Sequence, residues 1–316
     1  MSSSADIAGL NGNRFGPGLP PGPASVAAPR RNRLGAIASA STLGIAPFLI
    51  FAVLFLLLPT LGLVSGAFFD AHGHFTLANF VLLTQPVIVN AYLISIKVSA
   101  ASAILGAVAG LLIALAIGRG GLPGWIRSSA LTFSGVASNF AGVPLAFAFL
   151  ATLGRLGLVT MLLRTWLDFN LYSTGFNLLG FWGLTLTYLY FQIPLMILIV
   201  MPAIDGLKQE WSEAAETLGA STFQFWRHIG LPVLWPSILG TLALLFANAF
   251  GAIATAYALT GSSLNIVPIL LYAQIRGDVL HNENLGAALA LGMIVITGGA
   301  NVLYIVLRMR AERWLK

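Results

Sequence analysis

Six apolar runs, at residues 43–69, 88–117, 129–153, 179–203, 235–260 and 285–308, dominate the chain. Each is long enough to cross ~30 Å of hydrocarbon, which takes about 20 helical residues. Inside lipid a backbone N–H or C=O has no water to bond, so each run has to be a helix. The short alternating strands of a barrel do not occur. Composition leads to the same place: 58% of residues are hydrophobic and 8% charged, with mean hydropathy +0.89, against about 25% charged in soluble domains. So few charges cannot cover a water-facing surface of 316 residues. The expected fold is an all-α integral membrane protein of six transmembrane helices. The absence of cysteine excludes disulfides, thiolate metal sites and cysteine nucleophiles.

Residues 1–42 are rich in Gly, Pro, Ser and Ala and carry Arg30, Arg31 and Arg33. They read as a disordered basic tail. The run that follows, 43–69, is too long for the 7–15-residue core of a secretory signal and ends in no small-x-small cleavage site, so it is taken as a retained first span. Lys and Arg set the orientation. Twelve of the 16 fall in the tail, the 118–128 loop, the 204–234 loop and the C-terminus 309–316 with its flanking Arg308; Arg155, Arg164 and Arg276 lie on the other side, and Lys97 is inside the second span. Both termini and the 204–234 loop are therefore expected in the cytoplasm. Topology accounts for the net charge of +6, and nucleic-acid binding is not expected.

The connector 154–178 carries Leu158, Met161, Leu162 and Leu163 and then Trp166, Phe169, Tyr172 and Phe176. It is expected as a short helix in the outer interface, where aromatic residues sit at headgroup level. Pro144, Pro194 and Gly298–Gly299 are expected to interrupt the third, fourth and sixth spans, as befits a rocking gate.

The loop 204–234 has its own design. Leu207, Trp211, Ala214, Ala215 and Leu218 fall on one helical face, with Lys208, Glu210, Glu213 and Glu216 largely off it. Gly219 stands where a helix end takes a left-handed residue. Ser221 and Gln224 fit a capping box, opening a second short helix that Gly230 and Pro232 are expected to stop. The loop is a helix–turn–helix elbow. An amphipathic helix resting on lipid headgroups is the other reading, but three glutamates facing anionic lipid disfavour it.

At these residues the chain resembles the permease subunits of bacterial type I ABC importers. Their signature, Glu-Ala-Ala, three residues, Gly, nine residues, Ile, one residue, Leu-Pro, is met by Glu213, Ala214, Ala215, Gly219, Ile229, Leu231 and Pro232 without departure. The resemblance covers about 88–308 and implies the methionine-importer-like transmembrane fold in the bacterial inner membrane. It also implies that the elbow docks in a groove of a separate ATP-binding subunit, with Glu213 touching that surface and Gly219 permitting the turn. The implied partners are an ATPase dimer, a second permease (identical or not) and a periplasmic substrate-binding protein. The phrases NFAGVPLAFAF, YFQIPLM and FANAFGAIATAYALTG resemble the polyamine, opine, organophosphate and ferric-ion branch, which implies a polyamine or organophosphonate as solute.

The chain holds no chemistry of its own. None of its three lysines follows a Gly, so there is no phosphate-binding loop, and His72, His74, His228 and His281 all fall in loops. Asp70 with His72 and His74 is weak as a metal site, and neither metal nor cofactor is expected. Polar residues inside spans mark the candidate path, because lipid penalises them: Lys97, Asn139, Gln192, Asn248 and Tyr257 are chosen from a wider set that includes Ser99, Ser102, Ser138, Tyr188 and Thr255. Helix–helix hydrogen bonding is the competing role for the uncharged members, and outward snorkelling for Lys97. The alternative function, a self-sufficient secondary transporter or channel, lacks the membrane carboxylate that ion coupling needs.

Overall fold

The computed structural model describes residues 40–70, 72–276 and 282–312. The expected tail up to residue 39, His281, Arg313 and Lys316 lie outside the described residues. Among the described residues there is no strand beyond an isolated bridge between Phe69 and Phe75, and six segments are long and apolar enough to span a membrane. The chain divides into two compact units, 1–57 and 58–316.

In the first unit, α1 (Ala40–Ala52) passes Pro47 and runs into a π-turn, Val53–Leu57. The rings of Phe51 and Phe55 stack there at 5.1 Å.

The second unit opens with α2 (Leu58–Gly66) and a tight hairpin, followed by α3 (Ala78–Leu83). Asn79, buried, ties α3 to the hairpin by donating to the carbonyls of Ala67 and Phe69. Next come α4 (Pro86–Arg119), α5 (Gly124–Asn139), α6 (Val143–Leu153), α7 (Leu158–Leu167) and α8 (Phe181–Asp205). The hub is α8, flanked by α4 and α5 and later by α11 (Leu231–Phe250). Its close seat on α4 follows from Gly106 and Gly110, four residues apart. A Cβ on Gly110 would stand 2.6 Å from the Cβ of Met196, and one on Gly106 would stand 2.8 Å from that of Gln192. Small residues at that spacing let two helices approach without a hydrophobic drive, which lipid does not supply. Two buried clusters lie along α8, one around Leu184, Tyr188 and Phe191, the other around Met196, Val200 and Ile204.

Three expectations need correction. The interruption expected in the third span at Pro144 is present, with Phe140–Gly142 separating α5 from α6 and Gly142 at φ +78°, but the segment long and apolar enough to span is Val143–Leu167, α6 with α7, rather than 129–153. Glycine takes that left-handed conformation at no steric cost, and Pro144 starts the new helix within its first turn, where no N–H is missed. The expected interruptions at Pro194 and Gly298–Gly299 do not occur, because α8 runs unbroken through Pro194 and Pro202 and α14 (Glu283–Glu312) through both glycines. Tight packing of α8 on its neighbours keeps it helical through residues of poor propensity. The fifth span does break, between α11 and α12 (Ile253–Thr260). Ala252 (φ −78°, ψ 61°) makes an inverse γ-turn there, with Ile253 N donating to Gly251 O at 2.8 Å. The helix α13 (Val267–Arg276) then leads to α14.

Candidate functional site

Two features of the second unit offer function: the elbow between α8 and α11, and the place where the two broken spans meet.

The elbow begins at α9 (Gln209–Thr217). It ends in a Schellman turn: Gly219, at φ +77°, donates to Glu216 O, and Ala220 donates to Ala215 O, both at 2.9 Å. A capping box then opens α10 (Thr222–Phe225). Ser221 N donates to Gln224 Oε1 at 2.7 Å, and Gln224 N donates to Ser221 Oγ at 3.3 Å. The expected stop at Gly230 and Pro232 is corrected by the structure. A π-turn, Trp226–Gly230, carries the chain straight into α11, with Leu231 N bonded to Trp226 O. The wider turn makes room for the Pro232 ring near the start of α11, where the missing N–H costs little. Gly230 is needed because the Trp226 ring lies over it; a Cβ would come within 2.6 Å of that ring.

The expected apolar stripe of α9 is present, but the chain leaves most of it uncovered. Leu207 and Ala215 are buried, whereas Leu218 is 87% exposed. Trp211, Ala214, Ala215, Leu218, Phe225 and Ile229 line a groove of about 550 Å³. Of the seven signature residues, Ala214, Ala215 and Ile229 line it, Glu213 stands on the exposed outer face, Gly219 makes the turn, and Leu231 and Pro232 are exposed at the start of α11. Glu213 is held in place: Gln209 Nε2 donates to its Oε1 at 2.9 Å, and Thr217 Oγ1 donates to its carbonyl at 2.9 Å.

The second feature is a cavity of about 360 Å³ where the α5–α6 and α11–α12 breaks meet, lined by Ser138, Gly142, Phe191, Asn248, Gly251 and Thr255 among others. Gly142 N donates to Thr255 Oγ1 at 2.7 Å, joining one break to the other. A discontinuous span is tolerated in a membrane only where it lines a cavity or is buried in protein, and such breaks are where transporters place their solute sites. Of the sequence candidates, Asn248 lines the cavity and Asn139 is the neighbour of Ser138, to whose Oγ its Nδ2 donates at 3.4 Å. The other three lie elsewhere. Gln192 is fully buried against α4, donating to Ser102 Oγ at 3.0 Å while its Oε1 finds no partner. Tyr257 is exposed and faces the Tyr272 ring at 5.2 Å, and Lys97 is exposed.

Sequence reasoning missed the residues that anchor the elbow. Arg127 on α5 bonds both carboxylate oxygens of Asp205, at 2.6 and 2.7 Å, and Arg119 at the end of α4 donates to Leu207 O at 2.6 Å. Both arginines entered the reading only as topology charges. At the hairpin after α2, Asp70 accepts the N–H groups of His74 (2.8 Å) and His72 (2.9 Å), which hold its carboxyl below the ordinary carboxylate value. The carboxylate organises a turn. The helix expected in the connector 154–178 is α7, with Leu158, Leu162 and Trp166 exposed, and together with α6 it makes up the spanning-length segment Val143–Leu167.

The family model described as "Binding-protein-dependent transport system inner membrane component" matches residues 158–315. The chain is 28% identical to the probable sulfate transport system permease protein cysT of Chlorella vulgaris over 230 residues, covering 71% of this chain and 77% of that protein. It is 30% identical to the spermidine/putrescine transport system permease protein PotC of Escherichia coli K12 over 119 residues, 38% of this chain and 44% of that one. In fold it is similar to a chain of a bacterial ABC transporter involved in import of the acidic polysaccharide alginate, with TM-score 0.70, 18% identity, and coverage of 88% of this chain and 98% of that one. The MetNI methionine ABC transporter, in an inward-facing conformation, superposes with TM-score 0.50, 12% identity, and coverage of 72% and 99%.

Proposed function

The chain belongs to the family of binding-protein-dependent transport system inner membrane components, the permease subunits of type I ABC importers, with ATP hydrolysis in a separate subunit, and we propose that its elbow at 204–234 is the surface an ATP-binding subunit grips. The observation that carries this is the groove lined by Trp211, Ala214, Ala215, Leu218, Phe225 and Ile229, an apolar surface left open beside exposed charged residues. Glu213 and Gly219 are the key positions, the first as the contact and the second as the turn. One ATPase dimer takes two elbows, so the permease works as a pair, with a copy of itself or with a second permease. A binding protein delivers the solute on the far side. Arg119, Arg127, Lys208 and Arg227 gather on the elbow's side of the bundle, which supports a cytoplasmic elbow and cytoplasmic termini. A tagged chain should bring down an ATPase subunit from its native membrane, and Glu213→Lys should lose it. Solute uptake without any ATPase in the preparation would favour the secondary-transporter reading instead.

The solute path runs past the cavity at the two breaks, with Asn248 and Asn139 beside it, while Lys97, Gln192 and Tyr257 lie away from it. The solute is small and polar. Sulfate, an organophosphonate and a polyamine are all candidates at the cavity. Its described lining has the hydroxyls of Ser138 and Thr255 and the amide of Asn248, with no carboxylate to neutralise a polyamine, but the ends of α5 and α11, which favour a cation, meet there with the starts of α6 and α12, which favour an anion. The polyamine reading rests on the likeness to PotC. Uptake of radiolabelled sulfate and aminoethylphosphonate, compared with spermidine, by vesicles containing the assembled transporter decides between them.

A further inference from the structure

The joint between α8 and the elbow is held from two sides. Asp205 is the last residue of α8, and α9 starts at Gln209. At this joint both carboxylate oxygens of Asp205 accept from Arg127 Nη2, and Leu207 O accepts from Arg119. Arg119 closes α4, and Arg127 lies in the first turn of α5, so two helices converge on the root of the elbow.

The charges of the Arg127–Asp205 pair oppose their own helices. A helix N-terminus favours an anion and a C-terminus a cation. Here the cation sits near the start of α5 and the anion ends α8. The pair is also partly exposed, 37% and 44% at the two side chains, where an ion pair contributes little to stability. Neither helix gains from its own charge, so the arrangement is explained by the link it makes. From that link α5 runs along α8 as one unbroken helix, and its far end is Ser138 and Asn139, at the cavity. The ring of Phe140 closes that end against Tyr190 on α8, 5.9 Å centre to centre.

We propose that Arg127 and Asp205, with Arg119 beside them, form a clasp that passes displacement of the elbow into α5 and so moves Ser138 and the α5–α6 break. This rests on the reading of the elbow as the ATPase contact. Arg127 and Asp205 act as positioning residues, remote from the solute.

The chain has no cysteine, so Ser138→Cys supplies a single reporter in the cavity. In the complex with its ATPase, the rate of Ser138→Cys labelling by a water-soluble maleimide is compared with and without ATP and vanadate. A change of about fivefold is expected, the lower end of ordinary coupling factors. Arg127→Gln and Asp205→Asn should each abolish that change while the ATPase still co-purifies and hydrolyses ATP. The exchanged pair, Arg127→Asp with Asp205→Arg, should restore it; because the exchange places each charge at its favoured helix end, it should fold even if a single variant does not. An unaltered nucleotide response in either single variant, or a silent exchanged pair, would overturn the clasp and leave the elbow reading intact. No response in the parent Ser138→Cys complex would overturn the clasp, whereas failure of the ATPase to co-purify with the parent chain would overturn the elbow reading.

Discussion

Gly142 gives its N–H to the hydroxyl of Thr255, 113 residues further along the chain, at 2.7 Å. Each residue stands at a break in a span, and each break frees backbone groups that lipid cannot satisfy. The bond makes one break the partner of the other. It places four helix ends around a cavity that no single span could line.

Removing the hydroxyl should therefore be felt. Thr255 is 1% exposed, and Thr255→Val leaves the Gly142 N–H without its acceptor, at a cost of about 1–3 kcal/mol. Thr255→Ser keeps the bond. Thermal unfolding in detergent should show a lowered transition for the valine variant and a nearly unchanged one for serine.

The seat of α4 on α8 should be intolerant of volume. With Met196 Cβ and the Ile193 carbonyl oxygen 2.6 and 2.8 Å from a Cβ at position 110, Gly110→Ala forces the two helices apart. Overpacking of this kind costs about 1–3 kcal/mol. Gly135, which meets nothing within 4 Å, is the control. Gly135→Ala should match the parent in the same unfolding assay.

At the elbow, shape and contact separate. Gly219 has open space around it but a φ of +77°, so the objection to a side chain is conformational. Gly219→Asn, which tolerates that region, should keep ATPase binding near the parent value. Gly219→Val should weaken it strongly. Ser221→Ala removes the capping box at about 1 kcal/mol and should fall between the two in a pull-down titration.

The hairpin at Asp70 carries a pH signature. Hydrogen bonds from the N–H groups of His74 and then His72 lower its pKa from 3.8, so the turn keeps their contribution above that value and loses it as the pH falls through the lowered one. Hydrogen exchange at the amides of His72 and His74, corrected for intrinsic rate, should show steady protection from neutral pH to 3.8 and loss only below it. Asp70→Asn should remove the acid-induced step.

Most of the bundle was legible because lipid leaves so few options: apolar length alone gave six spans, though the third falls at Val143–Leu167 rather than 129–153, and the elbow's Gly219 and Ser221–Gln224 carried their turn and cap in plain sequence. The helix breaks were harder. Proline is a visible breaker, yet Pro194 sits in an unbroken helix because packing on both sides of α8 outweighs propensity. The break at Gly251–Ala252 turns on a single inverse γ-turn with no breaker beyond an ordinary glycine. Polarity identified Asn248 beside the cavity, but it equally selected Gln192, which pairs with Ser102 in the core. Depth in a span does not tell which face a side chain takes. The clasp was invisible because Arg127 and Asp205 are 78 residues apart, and only the fold brings them together.

The account stands on energy entering through the elbow. Vesicles containing the chain, its permease partner and its ATPase, supplied with loaded binding protein, should accumulate solute only when ATP is provided. Glu213→Lys should stop accumulation while the spans stay folded. Solute accumulation driven by an ion gradient without ATP, or undiminished in Glu213→Lys, would contradict it.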